Sequence, residues 1–247
     1  MNNFIPKIVG QCLNFISFFN TSLASKWALN LFSAPLKGRF KAPHPILEKA
    51  KKRTLYHQSI PIQTYQWEGK KETVLLVHGW ESNTGRWKNM IQRLKQEEYN
   101  IVALDAPAHG ASGGSSFNAI LYSEFIAVIA KKFKPKYLIG HSVGGMAISF
   151  FIKNSSYIFV EKVVFLGVPS GFPGILKNYT DLMGYNKKIS IGIEQCIQEK
   201  FNQSSTYFNT SQFAKYINAK GLIIHDENDS VIPFQMHSKY ILTSKTA

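Results

Sequence analysis

One serine stands between two glycines in the run Gly140-His141-Ser142-Val143-Gly144. The apolar residues before this run are typical of a buried strand, and the residues after it are typical of a helix. In so tight a strand-to-helix turn, a side chain at Gly140 or Gly144 would clash, and the hydroxyl of Ser142 is pushed out above the sheet. The N–H of Val143, at the start of the helix, then points to the place where an oxyanion develops. These residues predict a serine nucleophile that attacks acyl carbons.

Strand-like and helix-like segments alternate around this turn, which predicts an α/β fold with a mostly parallel sheet and helices on both faces. The predicted strands are residues 60–67, 73–79, 99–105, 136–140, 162–168 and 221–226, and the predicted helices include residues 85–97, 117–133 and 143–153. Ligands bind at the carboxyl ends of the strands in such folds. Ser142 and Asp229 both follow strand ends, so we expect them at one edge of the sheet.

With the serine motif, three other segments resemble those of the alpha/beta-hydrolase superfamily, over about residues 60–245. LLVHGW at 75–80 is similar to the family's His-Gly loop, in which the N–H after the glycine, here that of Trp80, completes the oxyanion hole. DAPAHGASGG at 105–114 is similar to the family's D-x-P-G-H-G-x-S turn, with Ala108 in place of the usual glycine. LIIHDENDSVIP at 222–233 is similar to its acid loop, with His-Asp in place of the usual His-Gly.

The resemblance implies that Asp229 is the acid of a catalytic triad, which orients a histidine and stabilises its imidazolium form. Asp226 is the alternative, although it lies closer to the strand end. A third interpretation makes Asp229 an ordinary turn residue before the next helix. Four other residues of these loops are expected to have structural roles: His78, Asp105, His109 and His141.

The general base is the missing partner. In this family the order along the chain is serine, acid, histidine, and the histidine follows one more helix and strand. Only His237 follows Asp229, in a segment typical of the helix after the acid loop, where it would face away from Ser142. The sequence ends at Ala247, in or just after that helix. We therefore expect a truncated chain, weak as an esterase and prone to associate through a strand edge, or a natural protein that lacks the base.

Composition favours one large domain without a metal or cofactor. The 247 residues are 45% hydrophobic, enough for a sizeable core. Cys12 and Cys196 lie far apart, which gives neither a disulfide framework nor metal-ligand spacing and favours a reducing, cytoplasmic compartment. No phosphate-binding glycine loop and no nucleic-acid-binding module is recognisable.

The N-terminal segment is basic and partly apolar. Residues 1–60 carry nine lysines and arginines against one acid, in a chain of net charge +14. Their first half has a helical apolar period, interrupted by too many polar residues for a transmembrane helix. Three interpretations stay open: a helix docked on the protein's own surface, a helix in a membrane interface that makes contact through residues 1–35, or a weak signal peptide. We divide the chain into this amphipathic helix with its basic connector, residues 1–59, and a hydrolase domain, residues 60–247.

Residues 171–219 are too long for a simple crossover between two strands. In the family, an insertion here forms a helical cap over the active site. Its aromatic and aliphatic side chains suit an apolar acyl group, although most of them would serve to pack the cap itself.

The predicted function is hydrolysis of a carboxylic ester, or a related acyl bond, of a small to medium apolar substrate. The reaction would pass through an acyl-enzyme and need no cofactor. The serine nucleophile argues against the dehalogenases and epoxide hydrolases of this fold, which use aspartate. The alternative is a non-catalytic member that binds a ligand or a membrane surface.

Overall fold

A computed structural model describes residues 4–40, 42, 44–155, 159–229 and 232 of the chain. The chain forms two compact units. The helical unit combines Met1–Ala34 with Gly171–Asn209, and the sheet unit combines Pro35–Ser170 with Thr210–Ala247. This division differs from the predicted boundary after residue 59, because the N-terminal helices associate with the insertion and the basic connector belongs to the sheet unit.

Strands and helices alternate through the middle of the chain. The strands are β1 Lys51–His57, β2 Ile60–Trp67, β3 Lys71–Val77, β4 Tyr99–Leu104, β5 Tyr137–His141, β6 Lys162–Leu166 and β7 Lys220–Ile224. The α-helices are α1 Phe4–Phe19, α2 Thr21–Ser33, α3 Pro45–Glu48, α4 Lys88–Gln96, α5 Ala119–Phe133, α6 Val143–Asn154, α7 Phe172–Met183, α8 Lys187–Phe201 and α9 Thr210–Phe213. Short 3-10 turns lie at Thr84–Trp87, Ser205–Tyr207 and Ala214–Tyr216.

Within the described residues, the strands form one sheet in the order β1-β2-β4-β3-β5-β6-β7. β1 pairs antiparallel with β2, and β2 pairs antiparallel with β4. The pairs from β4 through β3, β5 and β6 to β7 are all parallel. The predicted mostly parallel α/β sheet is confirmed, and it brings the carboxyl ends of five strands to one edge.

The core of the sheet unit follows from continuous apolar runs such as Val74–Val77, which fill both faces of a parallel sheet. Val74 and Leu76 belong to a buried cluster with Trp87, which directly precedes α4, and Ile91, which lies within α4. Leu75 and Val77 point to the opposite face by strand alternation, and both are fully buried. α5 and α6 pack against each other, and α6 contacts β5 and β3.

Three segments differ from the sequence-based assignment. β1 is absent from the predicted strands because its sequence, KKRTLYH, is basic, and an exposed edge strand needs no apolar pattern. The predicted helix at 85–97 begins instead with a 3-10 turn, in which the N–H of Gly85 donates to the side chain of Asn83. The last ten residues of the predicted insertion belong to the sheet unit, where Phe213 packs edge-on against Phe150 at 5.1 Å between ring centroids.

The helical unit consists of α1, α2, α7 and α8, joined by small residues and amide hydrogen bonds. A Cβ on Gly10 of α1 would collide with the carbonyl oxygen of Met183 at the end of α7. Asn14 donates to the carbonyl oxygen of Gly184 at 2.8 Å and accepts from the N–H of Asn186 at 2.8 Å. The N-terminal helices are thus docked on the insertion, as the first of the three interpretations expects.

The second contact in this unit joins α2 to α8. A Cβ on Gly192 of α8 would collide with the hydroxyl of Ser25, which is fully buried. Backbones that approach this closely need a small residue on at least one side. Among the described residues, no helix has both the length and the apolar character needed to cross a bilayer.

Gly10→Ala is expected to destabilise the helical unit by about 1–3 kcal/mol, because the added methyl group meets a backbone carbonyl that cannot change rotamer. This loss exceeds the gain of about 1 kcal/mol that alanine brings to a helix interior. Hydrogen exchange of the α1 amides measures it, and their protection should fall about tenfold or more. Gly221→Ala is the control, since a Cβ there meets no atom within 4 Å. Unchanged protection of α1 in Gly10→Ala would contradict the close approach.

Candidate active site

Ser142 stands at the sharp junction between β5 and α6. Its φ of 52° and ψ of −128° lie in a region that residues with side chains rarely occupy. The N–H of Ser142 donates to the carbonyl oxygen of Leu166 at 2.9 Å, which fixes the turn to the end of β6. The N–H of Gly145 donates to the carbonyl oxygen of Ser142 at 2.9 Å and begins α6 immediately. This backbone has the strained strand–turn–helix geometry of a nucleophile elbow.

The glycines on both sides of Ser142 allow two close backbone approaches. A Cβ on Gly140 would lie 2.7 Å from the Cα of Gly145. A Cβ on Gly144 would lie 2.5 Å from the carbonyl oxygen of His78, at the end of β3. Both distances are shorter than real Cβ contacts, so the turn needs glycine at each position for the steric reason that the motif predicts.

The two expected oxyanion-hole donors, Val143 and Trp80, lie on segments that adjoin Ser142. Val143 is the first residue of α6, so its N–H has no acceptor inside the helix. Gly79 passes so close to the serine that a Cβ on it would lie 3.1 Å from the Cβ of Ser142, and Trp80 follows directly. The Trp80 ring packs edge-on against Phe117 at 5.2 Å between ring centroids. The oxyanion role of these two N–H groups stays a prediction.

The carboxyl group of Asp105, just after β4, is fully buried and gathers four donors. One oxygen accepts from the N–H and the hydroxyl of Thr84 at 2.9 and 2.8 Å. The other accepts from the N–H of Ala111 at 2.9 Å and the hydroxyl of Tyr65 at 3.1 Å. Burial raises the pKa of Asp105 above its usual value, and these hydrogen bonds oppose the increase. Asp105 therefore organises the turn, in line with its expected structural role.

Two histidines connect the same turn to the loop after β3. The Nε2 of His78 accepts from the N–H of Ala106 at 2.9 Å, and its Nδ1 donates to the carbonyl oxygen of the following residue at 2.8 Å. The Nε2 of His109 accepts from the N–H of Glu81 at 3.0 Å, and its Nδ1 donates to the carbonyl oxygen of Pro107 at 2.8 Å. Burial lowers the pKa of His78 to about 3 and also lowers the pKa of His109. Both are neutral, structural histidines.

Ala108 replaces the glycine that the family usually has in this turn. It adopts a φ of 62°, in the left-handed region where a Cβ is unfavourable by about 1 kcal/mol or more. Its N–H donates to the carbonyl oxygen of Gly113 at 2.8 Å. The substitution therefore keeps the backbone geometry of a glycine turn and adds strain.

Asp229 lies in the loop after β7. Its Oδ1 accepts from the N–H of Ile232 at 2.9 Å, and its Oδ2 lies 3.9 Å from the Nε2 of His225. That Nε2 donates to the carbonyl oxygen of Ile232 at 2.7 Å. Asp226, the alternative acid, accepts from the N–H of Asn228 at 2.9 Å and is exposed. The two acids thus differ: Asp226 shapes an exposed turn, whereas Asp229 lies deeper in the loop.

The end of β6 links the serine turn to the acid loop. The carbonyl oxygen of Leu166 accepts from Ser142, and the N–H of the next residue, Gly167, donates to the carbonyl oxygen of Ile224 at 2.8 Å. A Cβ on Gly167 would lie 3.7 Å from Oδ2 of Asp229. Ser142 and Asp229 therefore lie at the same edge of the sheet, on the two sides of one short segment.

The pKa of His141 is affected by two charged residues of opposite sign, Arg86 and Asp229. Burial, reinforced by the positive charge of Arg86, lowers the pKa of His141 to about 4, and the negative charge of Asp229 opposes the decrease. The charge of Asp229 thus acts on the pKa of His141, which directly precedes Ser142. The sequence did not indicate that Arg86 acts on His141, because Arg86 lies in a 3-10 turn that was predicted as part of a regular helix.

No general base is assigned among the described residues. His78 and His109 use both ring nitrogens in hydrogen bonds. His141 has a pKa too low for an effective base near neutral pH, and the Nε2 of His225 donates to a carbonyl group. His237, the one histidine that follows Asp229 in the sequence, lies outside the described residues.

Comparison with known proteins gives one family. Residues 74–189 match the model of the alpha/beta hydrolase family. The structure resembles an esterase from Pyrococcus furiosus with a TM-score of 0.64, at 18% identity, over 86% of this chain and 84% of that one. Together with the sheet order and the serine turn, these matches show that the chain has the alpha/beta-hydrolase fold.

Curated relatives match shorter segments. A monoacylglycerol lipase from Mycolicibacterium smegmatis is 33% identical over 81 residues, which is 29% of each chain. A pimeloyl-[acyl-carrier protein] methyl ester esterase from Pectobacterium carotovorum is 26% identical over 142 residues, 54% of this chain and 53% of that protein. The chain thus spans under a third to about half of the length of these relatives.

Acidification from about pH 7.5 to about pH 5 is expected to lower the free energy of unfolding of the sheet unit. His78 stays neutral in the fold because its pKa is about 3, whereas the unfolded chain binds that proton near the ordinary histidine pKa of 6.5. The unfolded state therefore gains protons first, and the stability present above pH 6.5 is lost as the pH falls, by about 2 kcal/mol at pH 5 for this residue.

His109 and His141 act in the same direction, and the raised pKa of Asp105 acts in the opposite one. Urea unfolding at several pH values measures the net slope. Because Asp105 opposes the trend, the contribution of His78 is the difference in slope between the native chain and His78→Gln, and identical slopes in the two would contradict a neutral, buried His78.

Proposed function

We propose that this chain is a serine hydrolase that cleaves a carboxylic ester, or a related acyl bond, with Ser142 as the nucleophile. The observation that carries the proposal is the strained backbone of Ser142 at the β5–α6 junction. A non-glycine residue is held there by the neighbouring segments, and such strain concentrates at functional sites. The match of residues 74–189 to the alpha/beta hydrolase family model supports the same reaction class.

The reaction follows from this placement. The Oγ of Ser142 bonds to the acyl carbon while its proton passes to a general base, and the carbonyl oxygen becomes an oxyanion. The N–H groups of Val143 and Trp80 donate to that oxyanion in the proposed geometry. The C–O bond to the alcohol then breaks, the base returns the proton to the leaving oxygen, and water hydrolyses the acyl-enzyme in a second cycle.

Asp229 is the proposed acid, which orients the base and stabilises its charged form. Its position beside Gly167 and its electrostatic effect on His141 support this role. The base is not assigned: His237 is the one histidine that the sequence supplies after Asp229, in a segment expected to face away from Ser142, and the alternative is a chain that lacks the base.

A small to medium apolar ester is the proposed substrate class. The relatives named above include a monoacylglycerol lipase and a methyl ester esterase, which share ester cleavage but differ in the acyl and alcohol groups. We keep as a prediction that the helical unit covers the site as a cap and places its aromatic residues against the acyl group.

A fluorophosphonate probe is expected to label the full chain at Ser142. Ser142→Ala should abolish the label, because a phosphonate bonds only to a serine whose proton is removed by a base. Ser204→Ala, a change at a partly exposed serine of the helical unit, is the matched control and should label fully. A folded chain that takes no label favours the non-catalytic alternative, which binds a ligand without the base.

Asp229→Asn is expected to lower kcat/KM for a short p-nitrophenyl ester by about a hundredfold or more, because the neutral amide does not stabilise the imidazolium. Asp226→Asn is the matched control three residues earlier and should retain activity within about threefold. Equal losses in both variants would indicate a role for the loop's shape, and a loss confined to Asp226→Asn would reverse the assignment of the acid.

A further inference from the structure

The two N-terminal helices turn small residues inward and large apolar residues outward. α1 buries Gly10, Leu13 and Ser17, and α2 buries Ala24, Ser25 and Ala28. The large apolar side chains that remain exposed are Phe4, Ile5, Ile8, Phe15, Phe18, Phe19, Leu23, Trp27 and Leu31. A helix on the surface of a soluble protein normally shows the reverse pattern, so this outer face needs an apolar environment.

The exposed residues form continuous stripes. On α2, Leu23, Trp27 and Leu31 recur every four residues and therefore share one side of the helix. On α1, Phe18 and Phe19 lie three and four residues after Phe15 and so share its side of the helix; the exposed fractions of Phe15, Phe18 and Phe19 are 64%, 70% and 80%. Aromatic and leucine side chains of this kind are typical of helices that lie in a membrane interface.

The charged residues that α1 and α2 themselves carry have one sign. Lys7 and Lys26 are the only charged residues of α1 and α2, and both are exposed. Lys188 of α8 extends over the ring of Phe18, with its Nζ 5.4 Å from the ring centroid. The first acid in the sequence is Glu48. Such a surface is complementary to an anionic one.

We propose that this outer face of α1 and α2 docks on the surface of a bilayer that contains anionic phospholipids. The aromatic stripes enter the boundary between headgroups and acyl chains, and the three lysines contact lipid phosphates. A protein partner fits the surface less well, because lysine is depleted in the cores of protein interfaces. The helices lie along the bilayer, since among the described residues none is long and apolar enough to cross it.

The anchoring of these helices supports the proposal. Their inner face is held by the Gly10, Asn14 and Ser25 contacts to α7 and α8, so the outer face is presented on a folded unit. Exposure therefore costs no unfolding, and binding needs no release of the helices. The proposal is independent of the hydrolase chemistry at Ser142, and its test uses binding alone.

The test is sedimentation of the full chain with two kinds of vesicle, phosphatidylcholine alone and phosphatidylcholine with about 30% phosphatidylglycerol. We expect binding to the anionic vesicles that weakens as salt is added. The triple change Phe15→Ser, Phe18→Ser and Phe19→Ser should lower the partition coefficient about tenfold or more. The control pairs Tyr56→Ser with Leu222→Ser, two exposed apolar residues of the sheet unit, and should bind unchanged.

A charge variant separates the two contributions. Lys7→Glu with Lys26→Glu should lower binding to anionic vesicles about tenfold or more and leave the weak binding to phosphatidylcholine alone unchanged. Circular dichroism and melting temperature establish that each variant is folded, and fluorophosphonate labelling of Ser142 should be the same in all of them.

Two results would overturn the proposal. One is the absence of binding to anionic vesicles, or binding that the phenylalanine variant does not weaken. The other is a dimer, seen by analytical ultracentrifugation without vesicles, that the phenylalanine variant converts to a monomer while vesicle binding stays absent. That result assigns the same face to a second copy of the chain.

Discussion

The buried carboxyl group of Asp105 holds together the loops around Ser142. It fixes the 3-10 turn through Thr84, the turn after β4 through Ala111, and β2 through Tyr65. Burying such a group without partners costs several kcal/mol, and four donors reduce that cost while they fix the geometry. His78 and His109 then extend the same network to the loop that carries Gly79 and Trp80. The precision required near the serine therefore originates in groups that do not react.

This network explains why much of the site could be predicted from the sequence. A glycine needed for close approach and a polar residue needed for loop geometry leave short, local patterns, and the Gly140–Gly144 motif and the turn after β4 are two of them. The parallel strands were recognisable because burial on both faces demands continuous apolar runs. Ala108 shows the limit: the pattern departs from the family at one residue, yet the backbone keeps its positive φ.

Other features left no local signal. β1 is an exposed edge strand of basic residues, so neither apolar periodicity nor turn residues marked it. The boundary of the helical unit depends on contacts between residues about 170 positions apart, such as Asn14 with Gly184, which no short pattern encodes. The orientation of α1 was also hidden, because apolar periodicity alone does not tell which face packs on the protein. The small residues Gly10 and Ser17, one turn on either side of Leu13, were the available clue.

The helical unit is built from two segments that lie far apart in the sequence, and this affects the order in which its helices are synthesised. α1 and α2 leave the ribosome before the segments that hold them, since α7 and α8 follow only after about 140 further residues, or ~10–30 s at usual elongation rates. During that interval two short amphipathic helices have no partner within the nascent chain. They are exposed to whatever apolar surface is nearest, and a chaperone or a membrane that receives them then would determine where the rest of the chain folds.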